Sequence, residues 1–230
     1  MGLADIAEQV LRDAGGGPLL LSGRRVVSLS HARRLGPLGL LGPMIFLAGV
    51  VLVSWSERDF MAELGWDQWP SGTALGPNGW ATVLTFLLTG FCQIAFGWAL
   101  LAQAGESRVR KLGASLLIVS GLGMATLALK TDAEGADSTW HGQLHVIGYF
   151  TFFFSLLLAY LFLGSGSWRR FPASSWKYAP LALGPLLGAL ALPDGLESGN
   201  YVFFAVLFVP LLVLAIRVLS AGGWPVARTA

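Results

Sequence analysis

Cysteine occurs once in the 230 residues, histidine three times, and charged residues make up only 12% of the chain. Each scarcity excludes something. A single cysteine, Cys92, inside an apolar run forbids an intrachain disulfide, a CxxC redox pair and a thiolate zinc cage. Its plain reading is a small buried hydrophobe. The 15 basic and 13 acidic residues are scattered through short connecting segments without a basic patch, which argues against a nucleic-acid partner. No repeat of fixed period and no inverted repeat of three helices plus three stands out, which weighs against a standard secondary transporter. The opening stretch MGLADIAEQVLRDAGGG lacks both the basic start and the apolar core of a secretory signal, so the N-terminus is expected to stay attached.

Apolar residues, by contrast, make up 54% of the chain, and nine tryptophans accompany them. That composition belongs to membrane proteins. Six stretches approach the roughly 20 residues needed to cross a hydrocarbon core: 36–55, 81–102, 112–129, 143–162, 178–192 and 201–220. The fifth is short and interrupted by Pro180, Gly184, Pro185 and Gly188, so a kinked, tilted or partly re-entrant path is open to it. The expected fold class is all-α, a six-transmembrane-helix bundle.

Arginine and lysine fix the expected orientation. Arg24, Arg25, Arg33 and Arg34 precede the first stretch; Arg108, Arg110 and Lys111 follow the second; Arg169, Arg170 and Lys177 follow the fourth. The opposite side holds Arg58 and Lys130 among Glu57, Asp59, Glu63, Asp67, Asp132, Glu134 and Asp137. Both termini are therefore expected to be cytoplasmic, with a cytoplasmic segment over 1–35, a membrane domain over 36–220 and a tail over 221–230. Leu3, Ile6, Val10 and Leu11 recur at helical spacing, which suits either a surface amphipathic helix or a loosely ordered tail. Trp55, Trp80, Trp140 and Tyr201 are placed at the outer boundary, and Trp98, Tyr160, Trp168, Trp176 and Tyr178 at the inner one. The cell membrane and its lipids are the expected setting, and a homo-oligomer is compatible with it.

Two polar features interrupt the apolar pattern. Thr82, Thr85, Thr89 and Gln93 form a stripe along one helix face, to be read either as interhelical hydrogen bonding or as the wall of a wet cavity. In DSTWHGQLHVIGYF, His141 and His145 lie one turn apart near the start of the fourth stretch, on the same face. That helix is expected to begin near Ser138, with Asp137 or Ser138 as its cap. With Asp132, Asp137 and Glu134 nearby, the pair offers a nitrogen and oxygen shell suited to zinc. The competing readings are imidazoles hydrogen-bonded to those carboxylates, or groups for proton transfer and pH sensing. A histidine-ligated haem is disfavoured, since one helix turn cannot reach both haem faces and His31 falls on the cytoplasmic side.

The stretch DQWPSGTALGPNGW from Asp67 to Trp80, the LLTG that follows, and KTD ahead of WHGQLH resemble the domain-of-unknown-function 998 family of polytopic membrane proteins. The likeness spans 36 to about 220. Its matching positions are Trp69, Pro70, Ser71, Leu75, Gly76, Gly79 and Trp80, then Asp132, His141, Gly142 and His145. The resemblance implies an integral membrane protein and supplies no mechanism. HGQLH with Asp132 and Ser71 is also similar, remotely, to the alkaline ceramidase and adiponectin-receptor superfamily of seven-helix zinc hydrolases. This chain departs from that pattern in lacking a seventh span and a third ligand histidine, and in carrying HxxxH in its fourth span.

Three functional classes follow. In the first, His141, His145 and Asp132 or Asp137 hold zinc, and bound water cleaves a lipid amide or ester. In the second, the stripe from Thr82 to Gln93, with Thr85 and Thr89, lines the cavity of a transporter or permease-like module. In the third, a sensory or assembly protein responds to external pH or to a partner through the histidines and acids. The loop before Trp80 is expected to act either as a lid over the helix mouth or as a partner surface.

Overall fold

The structure, a computed structural model, describes residues 35–64, 70–133, 136–165 and 199–220. Its elements are α1 (Leu38–Ser56), α2 (Arg58–Leu64), a 3-10 turn (Pro70–Leu75), α3 (Gly79–Gln103), α4 (Arg108–Thr126), α5 (Trp140–Ser165) and α6 (Gly199–Ser220). Among the described residues, five helices are long and apolar enough to cross a membrane: α1, α3, α4, α5 and α6. The fifth expected stretch, 178–192, lies outside the described residues, as do the helical spacing over 3–11, His31 and the tail.

Local chemistry explains the boundaries. Ser107 caps α4, its hydroxyl accepting from the Arg110 N–H at 3.4 Å. Just before it, Gly105 adopts φ 58°, the left-handed conformation that lets α3 stop and the chain reverse. Pro43 and Pro210 sit inside α1 and α6 without ending them, which a membrane helix tolerates when neighbours satisfy the freed carbonyls.

Close helix approach organises the bundle. A Cβ built on Gly90 would lie 2.6 Å from the Gly121 carbonyl oxygen, and one built on Gly123 would lie 2.8 Å from that of Gly148. Backbone therefore meets backbone on both sides of α4, with α3 on one flank and α5 on the other. Lipid tails are as apolar as leucine, so membrane helices associate through such close van der Waals contact and not through hydrophobic exclusion. Leu117 and Met124 on α4 and Phe152 and Leu156 on α5 complete the dry interior.

The neighbour contacts also set direction. Gly49 of α1 faces Thr85 of α3 while Gly39 faces Phe96; Gly97 faces Ile118 of α4; Gly113 faces Leu163 of α5 while Gly148 faces Thr126. Each of these successive pairs is antiparallel. On α6, Phe204 meets Phe46 and Ala215 meets Gly39, so α6 runs opposite to α1 and parallel to α5. The parallel pair joins through large rings, Phe152 on Phe208 and Phe153 on Phe203. Tyr160, expected at the inner boundary, is buried instead: its hydroxyl donates to the Leu207 carbonyl at 2.9 Å, and an interior phenol needs such a partner. Leu41, Met44, Leu52 and Phe91 point outward, where lipid would cover them. Trp55, Trp80 and Trp140 are exposed around one end of the bundle and Trp98 at the other, as aromatic belts require.

Replacing Gly90 or Gly123 with leucine is expected to lower stability by about 1–3 kcal/mol or more, because backbone cannot yield as a side chain does. The outward-facing Val119→Leu should change it by less than about 0.5 kcal/mol. Unfolding of the detergent-solubilised protein, followed by loss of the monodisperse species on heating, separates the two cases.

Candidate functional site

The polar stripe resolves into packing. Thr82 shares a hydrogen bond with Thr73 at 2.7 Å, Thr85 bonds back to the Ala81 carbonyl at 2.8 Å, and Thr89 reaches the Gly42 carbonyl at 3.4 Å. Gln93, 2% exposed, donates to the Ser120 hydroxyl at 2.9 Å, and Ser120 donates to the Phe152 carbonyl at 2.9 Å. The chain Gln93–Ser120–Phe152 thus ties α3, α4 and α5 at depth. The four stripe residues are buried, and none lines the cavity described below.

At the opposite extreme of polarity lies the mouth where α4 ends and α5 begins. Helix α5 starts at Trp140, and its cap is Thr139, not the expected Asp137 or Ser138. The Thr139 hydroxyl accepts from the Gly142 N–H at 3.1 Å, satisfying one of the unpaired donors of the first turn. The same hydroxyl donates to Asp132 Oδ1 at 2.5 Å, while the Thr139 N–H donates to Asp132 Oδ2 at 2.9 Å. These two bonds, the side-chain one first, hold the Asp132 carboxyl below the ordinary carboxylate range, with smaller help from His141 and His145. Gly142 turns its bare Cα toward that carboxylate, and a Cβ there would collide with Asp132 Oδ2.

Each histidine spends one nitrogen on the end of α4. His141 Nδ1 lies 2.9 Å from the Lys130 carbonyl and 2.9 Å from Thr139 Oγ1. His145 Nδ1 lies 2.7 Å from the Leu129 carbonyl. A carbonyl can only accept, so both Nδ1 atoms carry hydrogen, and in the neutral rings Nε2 is the free acceptor. Asp132 Oδ1 is 3.8 Å from His141 Nδ1. The main partners of the rings are thus backbone carbonyls, where carboxylates were expected. Asp137 is exposed, and among the described residues no hydrogen bond or ion pair joins it to either ring.

This donor set does not fit zinc. Among the described residues, no three His, Cys, Asp or Glu side chains are placed to share an ion. Both Asp132 oxygens are engaged by Thr139, and although the Nδ1–carbonyl bonds leave Nε2 of each ring open, as in zinc-binding histidines, no third donor accompanies them among the described residues. The ligand role expected for His141, His145, Asp132 and Asp137 finds no converging geometry in which three donors reach one ion within about 2.0–2.2 Å.

A turn deeper than His141, His145 borders a cavity of about 30 Å³, lined also by Ser71 and Pro70 of the 3-10 turn and by Phe46, Phe86 and Tyr149. Ser71, whose position relative to the histidines depends on loop folding, is thereby placed beside His145 and not His141. The 3-10 turn covering it is pinned to α3 by the Thr73–Thr82 bond and by Glu57. Glu57 is only 3% exposed; its Oε1 accepts the Asn78 N–H at 2.6 Å, at the positive end of α3. Sequence reasoning missed Thr139, Glu57 and Tyr149. Thr139 carried a usable signal, a Thr one residue ahead of the helical pattern; Glu57 carried none, since nothing separates it from the other outer acids.

Apolar helices with outward leucines and phenylalanines, aromatic rims and mostly paired buried polar groups define a multi-pass α-helical membrane protein. Residues 40–196 match the model of a single family, and the chain belongs to it: "Protein of unknown function (DUF998)". No curated protein and no solved structure matches the chain.

Thr139→Ala removes the cap and is expected to cost about 0.5–2 kcal/mol, and Gly142→Ala should disturb the same joint by displacing the Asp132 carboxylate. The sign of the acid response follows from Asp132. Its folded value is depressed, so its contribution is complete above the unfolded value of about 3.9 and is lost as pH falls through the lower folded one. Asp132→Asn should flatten this acid limb in a stability–pH profile; an unchanged limb would assign acid sensitivity elsewhere.

Proposed function

We propose that the protein is a non-enzymatic sensory membrane protein of the cell membrane, with six spans and both termini cytoplasmic, whose extracytoplasmic mouth registers protonation at His141. The observation that carries this reading is the joint itself. Half-exposed His141 bridges the end of α4 to the cap of α5, 3.8 Å from a carboxylate kept ionised by Thr139. The six-span path is supported by helix direction: α5 and α6 run parallel as neighbours, which fits a further crossing between them, and 178–192 is the apolar stretch available for it.

Protonation adds a proton at His141 Nε2 and keeps both Nδ1 bonds. It gains attraction to Asp132, an interaction that solvent screens. It also places a cation at the positive end of α5, which costs about 0.3–1 kcal/mol. The two oppose each other, so the event is read in the charge and local field at the mouth. An optical readout is therefore the right one. Trp140 lies edge-on to His141 with centroids 5.6 Å apart, and indole emission responds to a charge beside the ring.

The emission difference between wild type and Trp140→Phe, in nanodiscs, is expected to change with pH. His141→Gln should abolish that titration, and Asp137→Asn should leave it intact. Identical curves for wild type and His141→Gln would end the sensory reading. A zinc hydrolase would instead show stoichiometric metal lost in the His141→Ala, His145→Ala double variant. Terminal tags accessible only from outside intact cells would end the proposed orientation.

A further inference from the structure

We propose that the cavity beside His145 is a binding site for a hydroxyl group, which donates a hydrogen bond to His145 Nε2. The ring is only 6% exposed, and its tautomer is set by the 2.7 Å bond from Nδ1 to the Leu129 carbonyl. Neutral Nε2 is then an acceptor, and no described group donates to it. An acceptor that faces an apolar-walled cavity is normally paired. The cavity that His145 lines has a volume of about 30 Å³, above the roughly 10–15 Å³ a single water needs. Ser71 on the covering turn offers a second hydrogen-bonding group, and Phe46, Phe86 and Phe204 supply apolar walls. A cation is unsuited to these walls and to an acceptor lacking a carboxylate beside it in the lining; a neutral O–H donor fits both.

The hydroxyl has two sources, water or the head of an uncharged alcohol amphiphile. This inference is independent of the sensory reading, which rests on His141 and its cap. The test uses the full chain with ¹⁵N-labelled histidine in phosphatidylcholine nanodiscs at neutral pH, the His145 signals being assigned by difference from His145→Gln. The expected spectrum has Nδ1 protonated and Nε2 shifted as a hydrogen-bonded acceptor. Leu127→Phe, which fills the cavity with apolar volume and adds no donor, should return Nε2 to the unbonded position while the protein stays monodisperse.

A photoactivatable alkanol separates the sources. Saturable labelling of cavity-lining residues, competed by unlabelled alkanol, assigns the alcohol; a bonded Nε2 without such labelling assigns water. An unbonded Nε2 in the wild type, a proton on Nε2 with Nδ1 bare, or a bonded Nε2 that persists in Leu127→Phe would each overturn the proposal.

Discussion

Everything at the mouth depends on how closely α4 lies against its neighbours. Gly90 against Gly121 and Gly123 against Gly148 bring backbones to a separation no larger residue would permit. In lipid this contact supplies much of the cohesion that water would otherwise enforce. It also fixes geometry at a distance. With α4 and α5 pressed together at Gly123 and Gly148, the carbonyls of Leu129 and Lys130 fall within reach of rings one and two turns along α5. Bulkier residues at those crossings would hold the helices apart, as Phe152 and Phe208 do between α5 and α6.

The second organising demand is that polar groups removed from water find partners. Deep in the bundle, the Gln93 amide N–H, Ser120 and the Phe152 carbonyl answer it by joining three helices, while Gln93 Oε1 has no partner among the described residues. At the mouth, Thr139 answers it three ways at once, accepting from Gly142, engaging His141 and donating to Asp132. The first arrangement is sealed and serves cohesion. The second borders the surface and contains groups that change charge, so the same rule yields glue in one place and a responsive joint in the other.

Reading the residues alone separated these two places only in outline. The threonine stripe was visible as helical spacing, but spacing could not say whether it faced a neighbour or water; the contacts to Gly42 and Ser120 assign it to packing. HxxxH was visible as two rings on one face. Its partners were not, because the carbonyls of Leu129 and Lys130 belong to the backbone and leave no mark in residue identity. Ser71 stands far from His145 in the chain and lines the same cavity because the turn after α2 folds back onto α3 through the Thr73–Thr82 bond.

The amino-acid order by itself determined the membrane class, the all-helical character and the placement of five long apolar helices, since hydrocarbon length and backbone satisfaction leave few solutions for such a composition. It also determined which residues share a helix face, which follows from 3.6 residues per turn. Tertiary structure alone decided which nitrogen of each histidine is committed, which acid becomes a cap partner and which is buried at the start of α3, and which hydroxyl borders the cavity. Those are matters of ångström distances between segments remote in sequence, and hydrogen bonds lose their meaning within a fraction of that scale.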